Sequence, residues 1–388
     1  MTPLPNKSNL WHVCYIVNLR LPTKNAHGLQ IMKMCESFAV AGAEVTLLVP
    51  CRFNRNKAEP FSFYGVRHSF AVKKMPVIDL YFLRFLPEKI SAAVLLLTFF
   101  AAAKIYLRLH TFDLVYTREI FWGLLAKDFV FEVHNFPSKI GRLYRFIFGR
   151  IKYFVAISGH LKDKFMEYGV PANKIIVSSD AVDADFMRGV PDQETCRKQL
   201  HLPANKKIVL YTGNFFKWKG VDTLAKAAAL LPEELYFAFL GATKDSDIKR
   251  IDEIIGLRKN TRVFGHIPNQ IIPQYLIAAD ILILPNSARQ DISSLYTSPL
   301  KLFEYLAAGR PIVASDLPSL REILNETNCV FFKPDDPADL ARAIKEILAN
   351  PTRALSLAQQ AQIDAKKYTW SHRADKILKF ASTPGRNV

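Results

Sequence analysis

The chain has 388 residues, of which half are hydrophobic and 22% are charged. This balance excludes an intrinsically disordered chain and predicts two or more domains with sizeable cores. The net charge of +17 indicates an anionic partner, such as nucleotide phosphates, nucleic acid or an acidic bilayer surface.

The five cysteines are odd in number and scattered, with no C-x-x-C spacing. We therefore expect reduced thiols in a cytosol, not a disulfide framework or a zinc site. The first ten residues lack the basic and apolar pattern of a signal peptide. The most apolar stretch, residues 90–103, is about fourteen residues long, below the roughly twenty of a transmembrane helix. The sequence thus predicts a soluble or peripheral protein.

Strand-like and helix-like segments alternate in the first half of the chain. Residues 11–19 and 44–50 are apolar runs of strand length, separated by a loop at 20–28 and a helical segment at 28–41. Such a βαβ unit predicts a parallel sheet, with ligands beyond the carboxyl ends of its strands. Further elements are predicted as strands at 114–116, 129–133, 155–158 and 175–177, and as helices at 88–109 and 159–168.

Two segments of this half combine basic and aromatic residues. The first spans 51–110 and includes the run 80–86, and the second spans 139–154 and contains no acid. Such a mixture is typical of segments that dock on anionic lipid headgroups. The alternative interpretation is that the aromatic rings face the core while the charges form a solvated surface.

The alternation restarts after the polar stretch 187–205, which contains two prolines and is predicted to be a linker. Strands are predicted at 207–212, 235–240, 261–265, 281–284 and 311–314, and helices at 221–231, 247–257, 269–278, 337–349 and 353–366. The predicted fold class is α/β, with two Rossmann-like parallel-sheet domains, 1–190 and 191–367, facing across a cleft. A final helix within 368–388 is expected to pack back on the first domain.

The stretch 298–316 is predicted to form a helix followed by a short strand. Pro299 suits the first helical position and Gly309 the residue just past the helix end. Free N–H groups at a helix start suit a phosphate, and the carboxylate of Glu304, one turn deeper, could accept hydrogen bonds from sugar hydroxyls. The alternative interpretation is a surface helix with a Lys301–Glu304 pair. Lys219 follows another strand and opens a helix, where its ammonium can meet a pyrophosphate.

These residues resemble the retaining glycosyltransferases of family four, which have the GT-B architecture. The resemblance rests mainly on 219–222, Gly241, 264–265 and 298–316, with weaker matches at 27–28, 132–134, 156–158 and 180–183. It implies a nucleotide-sugar-dependent enzyme, a retaining hexosyltransferase with a glycan or glycolipid acceptor, acting in cell-surface polysaccharide synthesis. Catalysis would consist mainly of electrostatic support of the departing diphosphate.

The resemblance also implies roles for individual residues. Lys219 would hold the diphosphate, Glu304 would bind the ribose hydroxyls, and His134 would contact the transferred sugar or its phosphate. Gly28 would let the backbone approach the donor. The other implied donor-binding residues are Asn214, His266, Ile267, Tyr296, Pro299, Leu300 and Lys301, the last two through their backbone.

Two positions depart from the family pattern. Tyr296 stands where relatives have the first of two glutamates, and Asn214 stands where they commonly have an arginine. Asp291 is a candidate replacement for the glutamate, and Lys217 or Arg289 for the arginine. These losses are also compatible with an altered or feeble activity.

The expected partners are a nucleotide sugar, a glycan or lipid-linked acceptor and an anionic membrane surface, with no nucleic acid. No metal or other cofactor is expected, and the expected location is cytoplasmic, peripheral on the inner face of the membrane. Alternatives within the fold are a sugar-nucleotide epimerase and a non-catalytic nucleotide-sugar binder. A basic nucleic-acid-binding protein is the alternative from another class, although no recognition-helix or zinc pattern supports it.

Overall fold

The computed structural model describes residues 11–81, 83, 85–137, 139–256 and 258–382. Their contacts form two compact units, the first of 11–157, 161–178 and 370–382, the second of 158–160 and 179–369. Several predicted features extend beyond the described residues: the ends of the predicted domains at 1–10 and 383–388, Phe82 and Arg84 of the basic and aromatic run, and Leu257 of a predicted helix.

The first unit is built on a seven-stranded parallel sheet with the order β3-β2-β1-β4-β5-β6-β7. Its strands are β1 His12–Ile16, β2 Glu44–Pro50, β3 Ala71–Met75, β4 Leu114–Thr117, β5 Phe129–Val133, β6 Ile151–Ala156 and β7 Ile175–Val177. The order reverses direction after β3, so that the chain returns to the other side of β1 with β4.

The second unit is built on a six-stranded parallel sheet with the order β10-β9-β8-β11-β12-β13. Its strands are β8 Lys207–Thr212, β9 Leu235–Leu240, β10 Thr261–Phe264, β11 Ile281–Leu284, β12 Ile312–Ser315 and β13 Val330–Phe332. Two parallel α/β sheets confirm the predicted fold class of two Rossmann-like domains.

Helices join the parallel strands throughout, as crossover connections require. In chain order they are α1 Ala26–Val40, α2 Pro60–Tyr64, α3 Glu88–Leu109, α4 Arg142–Phe148, α5 Gly159–Glu167, α6 Gln193–Gln199, α7 Val221–Ala229, α8 Asp245–Ile255, α9 Ile272–Ala278, α10 Leu300–Ala307, α11 Pro318–Arg321, α12 Pro337–Ala349, α13 Pro351–Ala365 and α14 Trp370–Ser382. Shorter turns of 3-10 helix include Ile120–Leu124 and Lys217–Lys219, and Ile292–Tyr296 forms a π-helix.

The second sheet is covered on both faces, which explains its near-continuous apolar strands. Along β8, Ile208 and Leu210 belong to one buried cluster, whereas Val209 and Tyr211 belong to another. Successive side chains of a strand point to opposite faces, so these two clusters are the two faces of the sheet. In the central strands β9, β8, β11 and β12, charged side chains are therefore absent except at a strand end.

The predicted linker at 187–205 is wrong, because this stretch contains helix α6. The Asp192 carboxylate caps the helix by accepting a hydrogen bond from the Thr195 N–H at 2.9 Å. Cys196 is fully buried, and Arg197 pairs with Asp280 at 2.6 Å. The charges that suggested a solvated linker thus belong to the ends and one face of a packed helix.

The edge strands β3 and β13 escaped the sequence analysis. Four of the five residues of β3 are exposed or half-buried, so the strand lacks an apolar run. β13 has three residues, which is too short to show a period. Edge strands with lysines, such as Lys73 and Lys74 of β3, are common because they discourage pairing with another chain.

Helix α3 is longer than the apolar run that suggested it. It has 22 residues and is long and apolar enough to cross a membrane by length and composition, and 28% of its most apolar window is buried. Length therefore does not exclude a membrane-associated helix, contrary to the expectation from 90–103. Its inner face packs on the sheet through buried side chains, namely Ser91, Leu95, Phe99, Phe100 and Ala103.

A buried carboxylate links four elements of the first unit. Glu132 of β5 accepts hydrogen bonds from Gln30 at 2.6 Å and from the Arg373 guanidinium at 3.2 Å, and it also bonds the Tyr116 hydroxyl and the His134 ring. Burial raises the pKa of Glu132, but the opposing effects of Arg373 and His134 hold it well below its ordinary value. The ion pair thus joins α14 to the sheet.

We predict that Arg373→Met destabilises the protein by about 3–5 kcal/mol, because Glu132 would remain charged and buried without its cation. Both side chains of the pair are almost fully buried. Lys164→Met is the control, since it removes one partner of the exposed Lys164–Glu167 pair and should cost no more than about 1 kcal/mol. Urea denaturation compares the two variants, and equal effects would contradict a structural role for Arg373.

Candidate active site

The carboxyl ends of the parallel strands in the second unit meet at one sheet edge, and polar residues follow several of them. Lys219 lies in the loop after β8, and Asn286 is the second residue after the neighbouring strand β11. Helix α10 begins near the same edge, because a Cβ on Gly213, directly after β8, would lie 3.8 Å from the Lys301 Nζ. The predicted diphosphate-ribose residues of this unit therefore come from separate segments that the sheet brings together.

A close backbone contact fixes the loop that carries Lys219. Gly220 has φ +69°, and a Cβ on it would lie 1.6 Å from the carbonyl oxygen of Pro285. No other residue fits at this position. The Trp218 carbonyl accepts hydrogen bonds from the Ser287 N–H and the Ser293 hydroxyl, each at 3.0 Å. The loop is thereby held against the end of β11.

The Lys219 ammonium has no ion pair with a described residue. Its Nζ lies 4.0 Å from the centroid of the Trp218 ring. Burial lowers the pKa of Lys219 to about 7, and the charge of Asp180 acts in the opposite direction. An anion next to this group would raise its pKa and hold it charged.

Helix α10 lies over the end of β8. The Tyr305 hydroxyl accepts a hydrogen bond from the Thr212 N–H at 2.8 Å. Pro299 has extended backbone angles and is the N-cap of the helix, so its predicted place at the first helical position is wrong by one residue. The first helical N–H groups belong to Leu300 and Lys301, and Gly309 follows the helix with φ +63°, as expected of a residue past a helix end.

Glu304 is half-buried, and within the described residues its carboxylate has no ion pair and no hydrogen bond. Burial and the neighbouring charge of Asp183 raise its pKa to about 7, while Lys301 opposes this shift. The alternative of a surface helix with a Lys301–Glu304 pair is wrong, because no such pair forms and most of α10 is buried. Its carboxylate oxygens are available to hydroxyl donors.

Two polar side chains at this edge escaped the sequence analysis. Lys301, considered there for its backbone N–H and for a surface pair with Glu304, is 6% exposed and places its Nζ 3.7 Å from the centroid of the Tyr211 ring. Asn286 is fully buried. The helix period places Lys301 on the same side as Tyr305, but a lysine in the first turn of a helix is normally solvated, so the sequence does not predict its burial. An asparagine just past an apolar strand carries no signal of its own either, since such residues also make ordinary turns.

The two departures from the family pattern lie at this edge as well. Tyr296 is buried in the π-helix, and the Asn214 carbonyl accepts a hydrogen bond from the Tyr211 hydroxyl at 2.9 Å. Asp291, the candidate replacement for the missing glutamate, is exposed. Both candidate replacements for the arginine, Lys217 and Arg289, are exposed too, and Arg289 lies 3.9 Å from Asp335.

His266 and Ile267 follow β10, two strands away from β8 in the sheet. Both are half-buried, and Ile267 packs against one of the two core clusters. Their predicted place near the base of the nucleotide stays a prediction.

The first unit holds the remaining two predicted residues. His134 follows β5 and bonds Glu132, and burial lowers its pKa to about 4, so that the ring is neutral near pH 7. Gly28 lies in the first turn of α1, where a Cβ would be 2.2 Å from the Tyr64 hydroxyl. This contact alone requires glycine, whether or not a donor approaches the backbone here.

Arg118 is a polar residue of the first unit that the sequence did not predict. It follows β4, and its guanidinium donates a hydrogen bond to the side-chain oxygen of Gln30 at 2.9 Å.

No group of three or more His, Cys, Asp or Glu side chains in the described parts of the chain could hold a metal ion. The independence of the site from metal stays a prediction.

Comparisons with known proteins agree with this geometry. Residues 192–365 match the family model described as "Glycosyl transferases group 1", and residues 28–186 match "Glycosyltransferase Family 4". A D-inositol 3-phosphate glycosyltransferase of Xylanimonas cellulosilytica is 27% identical over 222 residues, which make up 54% of this chain and 52% of the relative. The putative teichuronic acid biosynthesis glycosyltransferase TuaC of Bacillus subtilis is 28% identical over 188 residues, covering 47% and 45%. The chain thus spans about half the length of these curated relatives.

The fold has counterparts among solved structures. Anabaena Alr3699/HepE, in complex with UDP and glucose, superposes with a TM-score of 0.75 at 16% identity, covering 96% of this chain and 100% of the other. Two Rossmann-like parallel-sheet domains in one chain are the GT-B architecture that the resemblance implied. With both of its halves matched by glycosyltransferase family models, the chain belongs to the group 1 glycosyltransferases.

Proposed function

We propose that this protein is a retaining glycosyltransferase that moves a hexose from a nucleotide sugar to a glycan or glycolipid acceptor. One observation carries the proposal: Lys219 and Glu304, from separate segments of the second unit, are ionisable side chains without an ion pair in the described chain. A diphosphate supplies the anion that Lys219 lacks, and a ribose supplies hydroxyl donors for Glu304.

The arrangement supports departure of a nucleoside diphosphate. Negative charge grows on the phosphate oxygen as its bond to the sugar breaks, and the Lys219 ammonium stabilises that charge. The N–H groups of Leu300 and Lys301 at the start of α10 add positive potential. Glu304 would hold the ribose and thereby fix the position of the diphosphate relative to these groups.

The relatives support this donor class and a place in cell-surface polysaccharide synthesis. HepE was solved with UDP and glucose, and TuaC is named for teichuronic acid biosynthesis. Retention of configuration and the choice of a hexose rest on the family resemblance. We propose a cytoplasmic location, with the acceptor reached at the inner face of the membrane.

Tyr296 and Asn214, which replace charged residues of the family pattern, keep two alternatives open. An epimerase would release an altered sugar without an acceptor, and a non-catalytic binder would leave the donor intact. Incubation of the protein with a labelled nucleotide sugar, with and without a lipid extract as acceptor, separates these outcomes from transfer. A transferred label found only when the extract is present supports the glycosyltransferase.

We expect Lys219→Ala and Glu304→Ala each to lower transfer activity by about ten- to a thousand-fold, because each removes a charged contact to the donor. Lys217→Ala is the matched control, since Lys217 is an exposed lysine in the same loop and should keep wild-type activity. Turnover of labelled donor measures all three. Near-wild-type turnover of both site variants would refute the assignment.

A nucleotide panel tests the donor class directly. A ligand present at 100 times its dissociation constant stabilises the protein by about 2.7 kcal/mol, which thermal denaturation detects. We expect stabilisation by at least one of the UDP-, GDP- or ADP-sugars, and a smaller effect with Glu304→Ala. Stabilisation by single-stranded RNA and by none of the nucleotide sugars would favour the nucleic-acid-binding alternative.

We further propose that an anionic membrane surface binds the outer face of α3. This face is an unbroken apolar stripe at helical spacing along the 22-residue helix. Its members are all exposed: Ile90, Ala93, Leu97, Ala101, Ile105 and Leu109. The exposed cations Lys89 and Arg108 lie near the two helix ends. An apolar stripe with basic neighbours suits the boundary between anionic headgroups and acyl chains.

The second basic and aromatic segment also exposes apolar side chains, and ring contacts connect it to α3. Phe100 of α3 contacts Trp122 edge to face, and the neighbouring Phe121 contacts Tyr144 of α4. Helix α4 exposes Leu143 and Phe146, and the Arg150 guanidinium lies 5.1 Å from the centre of the Phe146 ring. Part of the predicted basic and aromatic surface is thus exposed, while Phe148 and Phe154 lie in the core.

We predict that the double substitution Leu97→Glu/Ile105→Glu lowers binding to vesicles that contain phosphatidylglycerol by about tenfold or more. The substitution removes apolar side chains that the membrane would bury and adds negative charges that the anionic headgroups repel. The control, Leu355→Glu/Ile363→Glu, alters two similarly exposed apolar residues of the second unit. Vesicle sedimentation measures both. Equal binding to pure phosphatidylcholine vesicles, or an equal effect of the control, would refute the α3 surface.

A further inference from the structure

Lys301 buries its amino group without a counter-ion among the described residues. Its side chain is 6% exposed, and its Nζ has no hydrogen-bond partner in the described parts of the chain. The Lys301 Nζ lies 3.7 Å from the centroid of the Tyr211 ring. A cation–π contact of this kind offsets only part of the hydration that the group loses on burial. Burial and the like charge of Lys219 lower the pKa of Lys301, while Glu304 acts in the opposite direction without forming an ion pair. A protein gains no stability from such a lysine.

Asn286 is a second unsatisfied polar side chain at the same edge. It is fully buried, and neither its amide oxygen nor its amide nitrogen has a hydrogen-bond partner within the described residues. Its backbone lies against Gly220, since a Cβ on Gly220 would be 3.4 Å from the Asn286 carbonyl carbon. Buried polar groups are rarely left unpaired, and each costs free energy. A ligand bound at this sheet edge would supply hydrogen-bond partners for the Asn286 amide.

Lys219, Asn286 and Lys301 belong to segments that meet at the ends of two adjacent strands. A Cβ on Gly213, directly after β8, would lie 3.8 Å from the Lys301 Nζ. Asn286 is the second residue after the paired strand β11, and Gly220 follows Lys219. The charge of Lys219 is close enough to Lys301 to lower its pKa, and two neighbouring lysines indicate an anion with more than one charge as the missing component.

We propose that the Lys301 ammonium and the Asn286 amide bind the diphosphate of the donor together with Lys219. The proposal rests on the proposed function of this site. Lys301, and neither of the exposed residues Lys217 and Arg289, then supplies the second positive charge that Asn214 does not provide. The N–H groups of the Asn286 amide donate a neutral hydrogen bond to a phosphate oxygen.

Lys301→Met and Asn286→Leu test this proposal because each should lower the affinity for the diphosphate without lowering the stability of the ligand-free protein. Each replaces an unpartnered polar group with an apolar one of similar size. We expect each ligand-free variant to melt at the wild-type temperature or about 2–4 °C above it. We also expect about a 10- to 100-fold loss of affinity for UDP or for inorganic pyrophosphate, the effect of a lost contact to a charged group. Lys217→Met is the matched control and should change neither quantity.

Each outcome of these measurements bears on the proposal. A ligand-free Lys301→Met protein that melts several degrees lower would mean that the ammonium is structural, and would overturn it. Undiminished affinity for both UDP and pyrophosphate in both variants would overturn it as well, even if the wild type transfers sugar. Pyrophosphate binding that depends on Lys301 in a protein without transfer activity would support the anion site while refuting the proposed function. Absence of binding of either probe to the wild type would overturn the anion site itself.

Discussion

The contact between Gly220 and the Pro285 carbonyl is the constraint on which the candidate site of the second unit depends. A side chain at position 220 would overlap that oxygen, so the loop after β8 can press against the end of β11 only through a glycine. The contact places Lys219 beside the segment that contains Asn286. The bond from Thr212 to Tyr305 then brings α10 to the same edge. Three segments far apart in sequence thus share one polar region.

The site gathers polar groups that the fold itself does not satisfy. In the first unit, Glu132 shows the usual solution, in which a buried charge is surrounded by donors and an arginine. Lys301 and Asn286 in the second unit lack such partners in the described chain. Binding sites commonly give up some stability in this way, because groups held ready for a ligand cannot also be satisfied internally. The contrast separates structural from ligand-directed polar residues without reference to conservation.

The sequence predicted the fold class well because central parallel strands are buried on both faces. Strands such as β2, β8 and β11 are continuous apolar runs, and their predicted bounds agree closely with the structure. The sequence pattern did not predict elements that are buried on one side only or that contain few buried residues. The exposed edge strand β3 shows no run, and the charges of α6 resemble those of a linker until Cys196 is seen in the core.

The residues of the site also differ in whether the sequence alone can predict them. Lys219 and Glu304 could be proposed from sequence because each stands at a recognisable strand-to-helix or helix-start position. Lys301 could not, because a lysine in the first turn of a helix is normally solvated, and its burial depends on the tertiary contact with Tyr211. Local sequence shows which backbone N–H groups are free, but only the packed structure shows which charges lack a partner. Lys301, distant from Asn214 in sequence but close to the neighbouring Gly213 in space, is therefore the proposed replacement for the family arginine.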